Sequence, residues 1–282
     1  MTREATEGRP AAEPLAAPAE RRGILLTVAY DGGLFAGFAP QPGQRTITGE
    51  LLGALQAVDP AVRHIRGASR TDSGVHARGQ RVAFDSAADI PPKGWVLAVT
   101  RHLPDQIAVR RASIVPAGFS PRFTSHGKRY RYVILRDPVR DPFLEGRAWR
   151  SQSFADAEAV GRARREAQAA LGTHDFAAFR SSADARTNTV RTVRAIALVE
   201  DPLDARLLHV TIEGDAFLHN MVRILVGTLA DVARGRLPEG AVARALASRD
   251  REDAGITAPG EGLYLEEVLL DEQGTHVWPP GA

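Results

Sequence analysis

The chain has 282 residues, 44% hydrophobic and 25% charged, enough to bury a substantial core as one large domain or two small ones. It contains no cysteine, which excludes disulfide frameworks, thiolate zinc sites, iron–sulfur clusters and cysteine nucleophiles; no apolar run approaches the roughly 18 residues of a membrane span and no secretory signal opens it, so a cytoplasmic protein without membrane contact is expected. The net charge of +2 conceals a basic stretch, 101–131, with seven basic residues against one acidic, and an acidic stretch, 231–272, with ten acidic against five basic; a polyanion would prefer the first.

Residues 1–22 are rich in Ala, Pro and Glu and carry no sustained period, so a disordered tail is expected there. Hydrophobic patterning then predicts a strand over 24–30, a helix over 49–58, strands over 63–68 and 80–84, a helix over 92–101 and a strand over 107–115. A strand follows over 129–135, then a long helix over 154–171, opened by Ser153 with Asp156 three residues later and closed by Gly172. Strands over 190–199 and 207–213, a helix over 218–234, a short helix over 242–246 and a last strand over 263–270 complete the chain. The order β-α-β-β-α-β occurs twice, which predicts an α+β protein of two ferredoxin-like halves, 23–116 and 117–273, with a short tail over 274–282. Sheets of this kind can bind looped RNA, but the aromatic RNP1 pattern of the RNA-recognition module is absent from both halves.

Three segments break the folding pattern. Between the second and third strands runs Arg70-Thr71-Asp72-Ser73-Gly74-Val75-His76-Ala77. Asp, Ser and Gly suit a tight turn for backbone reasons alone. The alternative makes Asp72 a carboxylate nucleophile or base at a loop tip, with Arg70 contacting phosphate or filling the space of a displaced base. In the second segment, Arg223 interrupts the apolar helix around Met221, Val222, Ile224, Leu225 and Val226. It either snorkels to the surface or finds a carboxylate partner, for which Asp72 is the best candidate. The third is Arg122-Phe123 followed by Lys128-Arg129-Tyr130-Arg131-Tyr132, which places two tyrosines on one face of a strand, either as sheet packing or with one ring available to a base. Arg78, Arg110, Arg111, Arg122, Lys128 and Arg129 are the candidate RNA-contacting residues.

Together these segments resemble the tRNA pseudouridine synthase A family, whose hallmark Arg-Thr-Asp-(Ala/Ser)-Gly-Val-His-Ala stands here as residues 70–77. Tyr30-Asp31-Gly32, Arg122-Phe123, Arg129-Tyr130-Arg131-Tyr132, Asp175-Phe176, Met221-Val222-Arg223 and Glu261-Gly262-Leu263-Tyr264-Leu265 follow in family order across roughly 24–270. The resemblance implies the pseudouridine synthase fold, two ferredoxin-like halves flanking a central active-site cleft, and conversion of uridine to pseudouridine in the anticodon arm of tRNA. It further implies Asp72 as nucleophile, Tyr130 stacking on or ordering the base, Arg223 paired with Asp72, Arg70 holding the flipped nucleotide, a homodimer, and neither metal nor organic cofactor. Phe38, Thr48, Ser69, Thr100 and Gln106 depart from the family's usual residues, all in the first half. They raise the alternative of a paralogue acting on another RNA or on a free uridine nucleotide. An RNA-binding protein without catalysis is the reading from a different class.

Overall fold

The computed structural model describes residues 20–271 and 274–280, so the tail expected over 1–22 lies outside the described residues as far as residue 19. Among the described residues the chain forms one mixed sheet of eleven strands with helices packed against it. The first half runs β1 (Arg22–Tyr30), α1 (Ile47–Val58), β2 (Arg66–Gly67), β3 (His76–Ser86), α2 (Pro92–Arg101) and β4 (Ile107–Val115). A one-turn helix α3 (Pro121–Thr124) leads into β5 (Gly127–Leu135), β6 (Trp149–Arg150), α4 (Ala157–Ala167) and β7 (Gly172–Asp175). Then come β8 (Val190–Glu200), β9 (Leu207–Gly214), α5 (Met221–Ala233), α6 (Ala241–Ser248), β10 (Leu263–Leu269) and β11 (Thr275–Trp278).

The main path through the sheet is β11-β4-β1-β3-β10-β5-β9-β8-β7, with β2 beside β3 and β6 beside β5. The last long strand, β10, joins the two halves: it pairs parallel with β3 through Tyr264 and His76, and antiparallel with β5 through Leu265 and Tyr130. Alternation along β1 and β5 separates two apolar layers. Ile24, Leu26 and Val28 of β1, with Tyr130, Tyr132 and Ile134 of β5, join the large core under the helices, where Trp95, Phe154, Phe176 and Phe179 are fully buried. Leu25 of β1, and Val133 and Leu135 of β5, face the opposite layer.

Several boundaries differ from the sequence expectation. The strand expected over 63–68 shrinks to Arg66–Gly67, whereas the one expected over 80–84 lengthens to His76–Ser86. The extension crosses Arg78 and Gly79, which have no apolar alternation, and is held by its pairing with β10. The long helix is α4 alone, capped by Asp156, whose Oδ1 accepts from the Ala159 N–H at 2.8 Å, and flanked by single 3-10 turns. Ser153 lies in the turn before it rather than at the cap. Three strands carry no sequence signal: β6, two residues beside β5; β7, a short edge strand of polar residues beside β8; and β11, which pairs with β4 inside the segment expected to be a tail.

Candidate active site

The Arg70–Ala77 segment forms the tight turn its composition predicts. The Val75 N–H donates to the Asp72 carbonyl at 3.2 Å, and Gly74 takes the left-handed φ of 75° that this turn requires. The turn is fixed from beneath by Gln80, fully buried on β3, whose side-chain amide accepts from the Ser69 N–H at 3.2 Å and donates to the Ser69 carbonyl at 2.8 Å. Thr71 is buried beside it, its hydroxyl 2.7 Å from the Tyr30 hydroxyl. On the other side Phe38 N–H donates to the Thr71 carbonyl, and Gly37 passes so close that a Cβ there would lie 2.9 Å from that oxygen. With Thr71 anchored on both sides, Asp72 is held at the tip.

His76 closes the motif as a strut. Its Nδ1 accepts from the Gly32 N–H at 3.0 Å, its Nε2 lies 3.0 Å from the Glu261 carbonyl, and its ring stacks on Tyr264. Since the carbonyl only accepts, Nε2 carries the proton. Burial pushes the imidazole pKa below its usual 6.5, with Asp31 opposing.

Asp72 faces a cleft of about 1040 Å³, also lined by Phe38, Ser69, Arg70, Arg122, Lys128, Tyr130, Asp184, Arg186, Phe217, His219, Asn220 and Arg223. Every residue of α5 but Arg223 is buried, and Arg223 leaves the core toward this cleft. Its Nε donates to the Ala258 carbonyl at 2.8 Å and its Nη1 to Asn220 Oδ1 at 2.9 Å; the same Nη1 stands 3.5 Å from Asp72 Oδ2. The other carboxylate oxygen, Oδ1, stands 3.3 Å from His219 Nε2. Asn220 sits just before α5 with φ of 63°, the left-handed turn from which its side chain reaches Arg223.

Tyr130 and Tyr132 share the helix-bearing face. Tyr132 is fully buried and its hydroxyl donates to the Pro259 carbonyl at 2.7 Å, next to the Ala258 that holds Arg223. Tyr130 lines the cleft, edge-on to Phe217 at 5.1 Å between centroids, with its hydroxyl 3.1 Å from that of Ser69. Burial pushes its phenol up to about 12, against the Ser69 hydrogen bond and with the Asp72 charge adding, so Tyr130 is a neutral wall at physiological pH. Ser69 is one of the departures from the family pattern, and its hydroxyl supplies this bond.

The candidate basic residues fall into groups. Arg70, Arg122 and Lys128 line the cleft, and among the described residues no carboxylate lies within ion-pair distance of them. Burial, then Arg122, pushes the Lys128 pKa down. Arg129 lies on the reverse face, paired with Glu213 and Glu267 at 2.8 Å each. Arg78 and Arg110 border a smaller depression of about 560 Å³ with Arg147 and Tyr264, and Arg111 lies on β4 opposite Thr27. The structure thus brings together Arg70, Asp72, Arg122, Lys128, Tyr130 and Arg223 and leaves the other four outside the cleft. His219 and Phe217 also line the cleft and are not among the candidates from sequence; their signal is a histidine and an aromatic just before an otherwise apolar helix. Among the described residues no group of three or more His, Asp or Glu could hold a metal ion, and no helix is long and apolar enough to cross a membrane.

Residues 167–271 match a family model described as tRNA pseudouridine synthase. Over most of the chain it is similar to proteins named tRNA pseudouridine synthase A. The one from Citrifermentans bemidjiense is 40% identical over 89% of this chain and 99% of the relative. Those from Bacillus licheniformis and Bacillus subtilis are 42% and 40% identical, each over 88% of this chain and 99% of the relative. Among solved structures, an H/ACA RNP bound to a substrate RNA containing 2'-deoxyuridine overlaps with a TM-score of 0.32 at 13% identity, over 74% of this chain and 43% of that one, too loosely to bear on fold or reaction.

Proposed function

The chain belongs to the tRNA pseudouridine synthase A family, and from that premise we propose that Asp72 is the nucleophile for a uridine of the anticodon arm flipped into the cleft. The protein is a tRNA pseudouridine synthase, an isomerase that converts uridine to pseudouridine. The reaction breaks the bond from N1 to the ribose C1′, joins C5 to C1′, releases the C5 proton and returns a proton to N1, with no change of redox state and no external group donor. It needs a nucleophile, a partner for that nucleophile, a wall for the base and cations for the phosphates. The observation that carries the assignment is Asp72 at a rigid loop tip, 3.5 Å from Arg223 and facing the cleft beside Tyr130.

In this reading Tyr130 orders the base from one side, and Arg70 fills the space it vacates in the RNA stack. Arg122 and Lys128 meet backbone phosphates at the cleft mouth. The two halves are ferredoxin-like, supported by the strand orders β4-β1-β3-β2 and β10-β5-β9-β8, which repeat one arrangement. A cytoplasmic homodimer completes the proposal, and sedimentation showing only a 30.3 kDa species would overturn its dimeric part.

The test is tritium release from tRNA transcripts carrying 5-tritiated uridine, because forming the C5–C1′ bond expels that hydrogen. Wild type is expected to release tritium and Asp72→Ala to release none. Undiminished release by a folded Asp72→Ala would remove Asp72 from the chemistry, and activity confined to free UMP would remove the tRNA anticodon arm as substrate.

A further inference from the structure

The nucleophile has two carboxylate oxygens, and the reading above uses a partner for only one. Arg223 faces Oδ2; Oδ1 faces the Nε2 of His219 at 3.3 Å. His219 reaches it from the last turn before α5, where its main chain is gripped on both sides by a loop distant in sequence. Its N–H donates to Asp184 Oδ2 at 2.9 Å, and its carbonyl accepts from the Ser181 N–H at 2.9 Å. Asp184 is itself buried and fixed by Arg186, whose Nε donates to both carboxylate oxygens at 2.8 and 3.0 Å and whose Nη1 donates to the Phe217 carbonyl at 3.2 Å. Hydrogen bonds from Arg186 and the two backbone N–H donors hold the Asp184 carboxyl well below the usual range, so this clamp is ionised at neutral pH.

We infer that His219 is a positioning residue for Asp72, the second of two side chains between which the nucleophilic carboxylate is set. A carboxylate held at one oxygen still swings about its terminal torsion, which is broad and low in barrier. Held at both, it presents a single orientation to the substrate, and its remaining lone pairs stay available for attack. Since the carboxylate only accepts, Nε2 carries the proton in this pair. Arg223 stands at ion-pair distance, 3.5 Å, and His219 at 3.3 Å, both longer than a good hydrogen bond; on this inference both tighten when a base fills the cleft and excludes water. The imidazole remains partly exposed at the cleft wall, which places its worth at the lower end for a hydrogen bond to a charged group, about tenfold in rate.

The inference rests on Asp72 being the nucleophile, and the experiment separates the two. Single-turnover tritium release and tRNA affinity are measured for wild type, Asp72→Ala, His219→Phe and His219→Gln. His219→Phe keeps a flat ring without a donor; it is expected to slow the single-turnover step about tenfold and leave the tRNA Kd within about twofold. His219→Gln, whose side-chain amide can reach the same oxygen, is expected to regain most of the loss. A role in packing alone would make Gln no better than Phe, and a role in RNA binding would place the loss in Kd; either overturns the inference, as does a wild-type rate for His219→Phe. If Asp72→Ala is inactive while His219→Phe is unaffected, only the positioning role fails. If Asp72→Ala keeps full activity, the nucleophile assignment fails and this role with it.

Discussion

On one face of β5, Lys128 and Tyr130 line the cleft, and Lys128 has no carboxylate within ion-pair distance among the described residues. On the other face of the same strand Arg129 is shared between Glu213 and Glu267, and Arg131 bonds Glu266 at 2.9 Å while lying over the Tyr264 ring. Each face carries basic residues; what differs is the carboxylates opposite them. Glu213 comes from β9 and Glu266 and Glu267 from β10, so the neutralising charges are supplied by the two neighbouring strands. A run of basic residues in sequence is therefore two populations in the fold, one that holds the sheet together and one left free for a polyanion.

Between the two faces of β5, Tyr130 offers the largest effect. Its replacement by Ala removes the wall of the cleft and is expected to lower single-turnover tritium release by about 100-fold, the upper range for loss of an aromatic contact to a base. The same change opens a cavity in the core at a cost of about 3 kcal/mol, so the assay belongs well below the melting temperature. Tyr130→Phe and Ser69→Gly, which lose only the hydroxyl pair, should fall about threefold. A Tyr130→Ala enzyme with wild-type turnover would make the cleft face no more functional than its reverse.

The two faces separate next by salt. Arg122→Ala and Lys128→Ala should each weaken tRNA binding about fivefold and reduce the slope of log K against log salt by roughly 0.7 to 0.9, the counterion share of one phosphate. Arg129→Ala should leave that slope unchanged and alter stability by at most about 1 kcal/mol, as partly exposed pairs do. Equal slopes for Lys128→Ala and Arg129→Ala would erase the distinction.

Much of this was legible in the sequence. The periods that predict β1, α1, α2 and β4 fall within two residues of the observed ends, because each presents an alternating or helical apolar face to one core. Asp72, Tyr130 and Arg223 were legible because each breaks such a pattern. The failures have physical reasons. β7 and β11 have few apolar positions and exist through edge pairing with β8 and β4, which no local period records. Arg129 is an RNA-contacting candidate from sequence because its carboxylate partners lie 84 and 138 residues away. His219 is not legible as a site residue because its significance lies in its distance to Asp72, which is remote in sequence.

The reverse face supplies the last and smallest effect, one on stability rather than activity. His76 joins Gly32 to Glu261, so its neutral ring bridges the turn after β1 and the segment leading into β10. Burial lowers its pKa below the value near 6.5 that it has in the unfolded chain, and the nearby Asp31 only partly offsets this. As pH falls through 6.5 the unfolded chain takes up a proton that the folded chain resists, so this contribution is fully present above pH 6.5 and is lost progressively below it. Urea unfolding of wild type between pH 7.5 and 5 should show a steeper decline than that of His76→Asn, which has no group to titrate there. Parallel declines would mean that protonation is accommodated through Asp31 and that the strut survives as an ion pair.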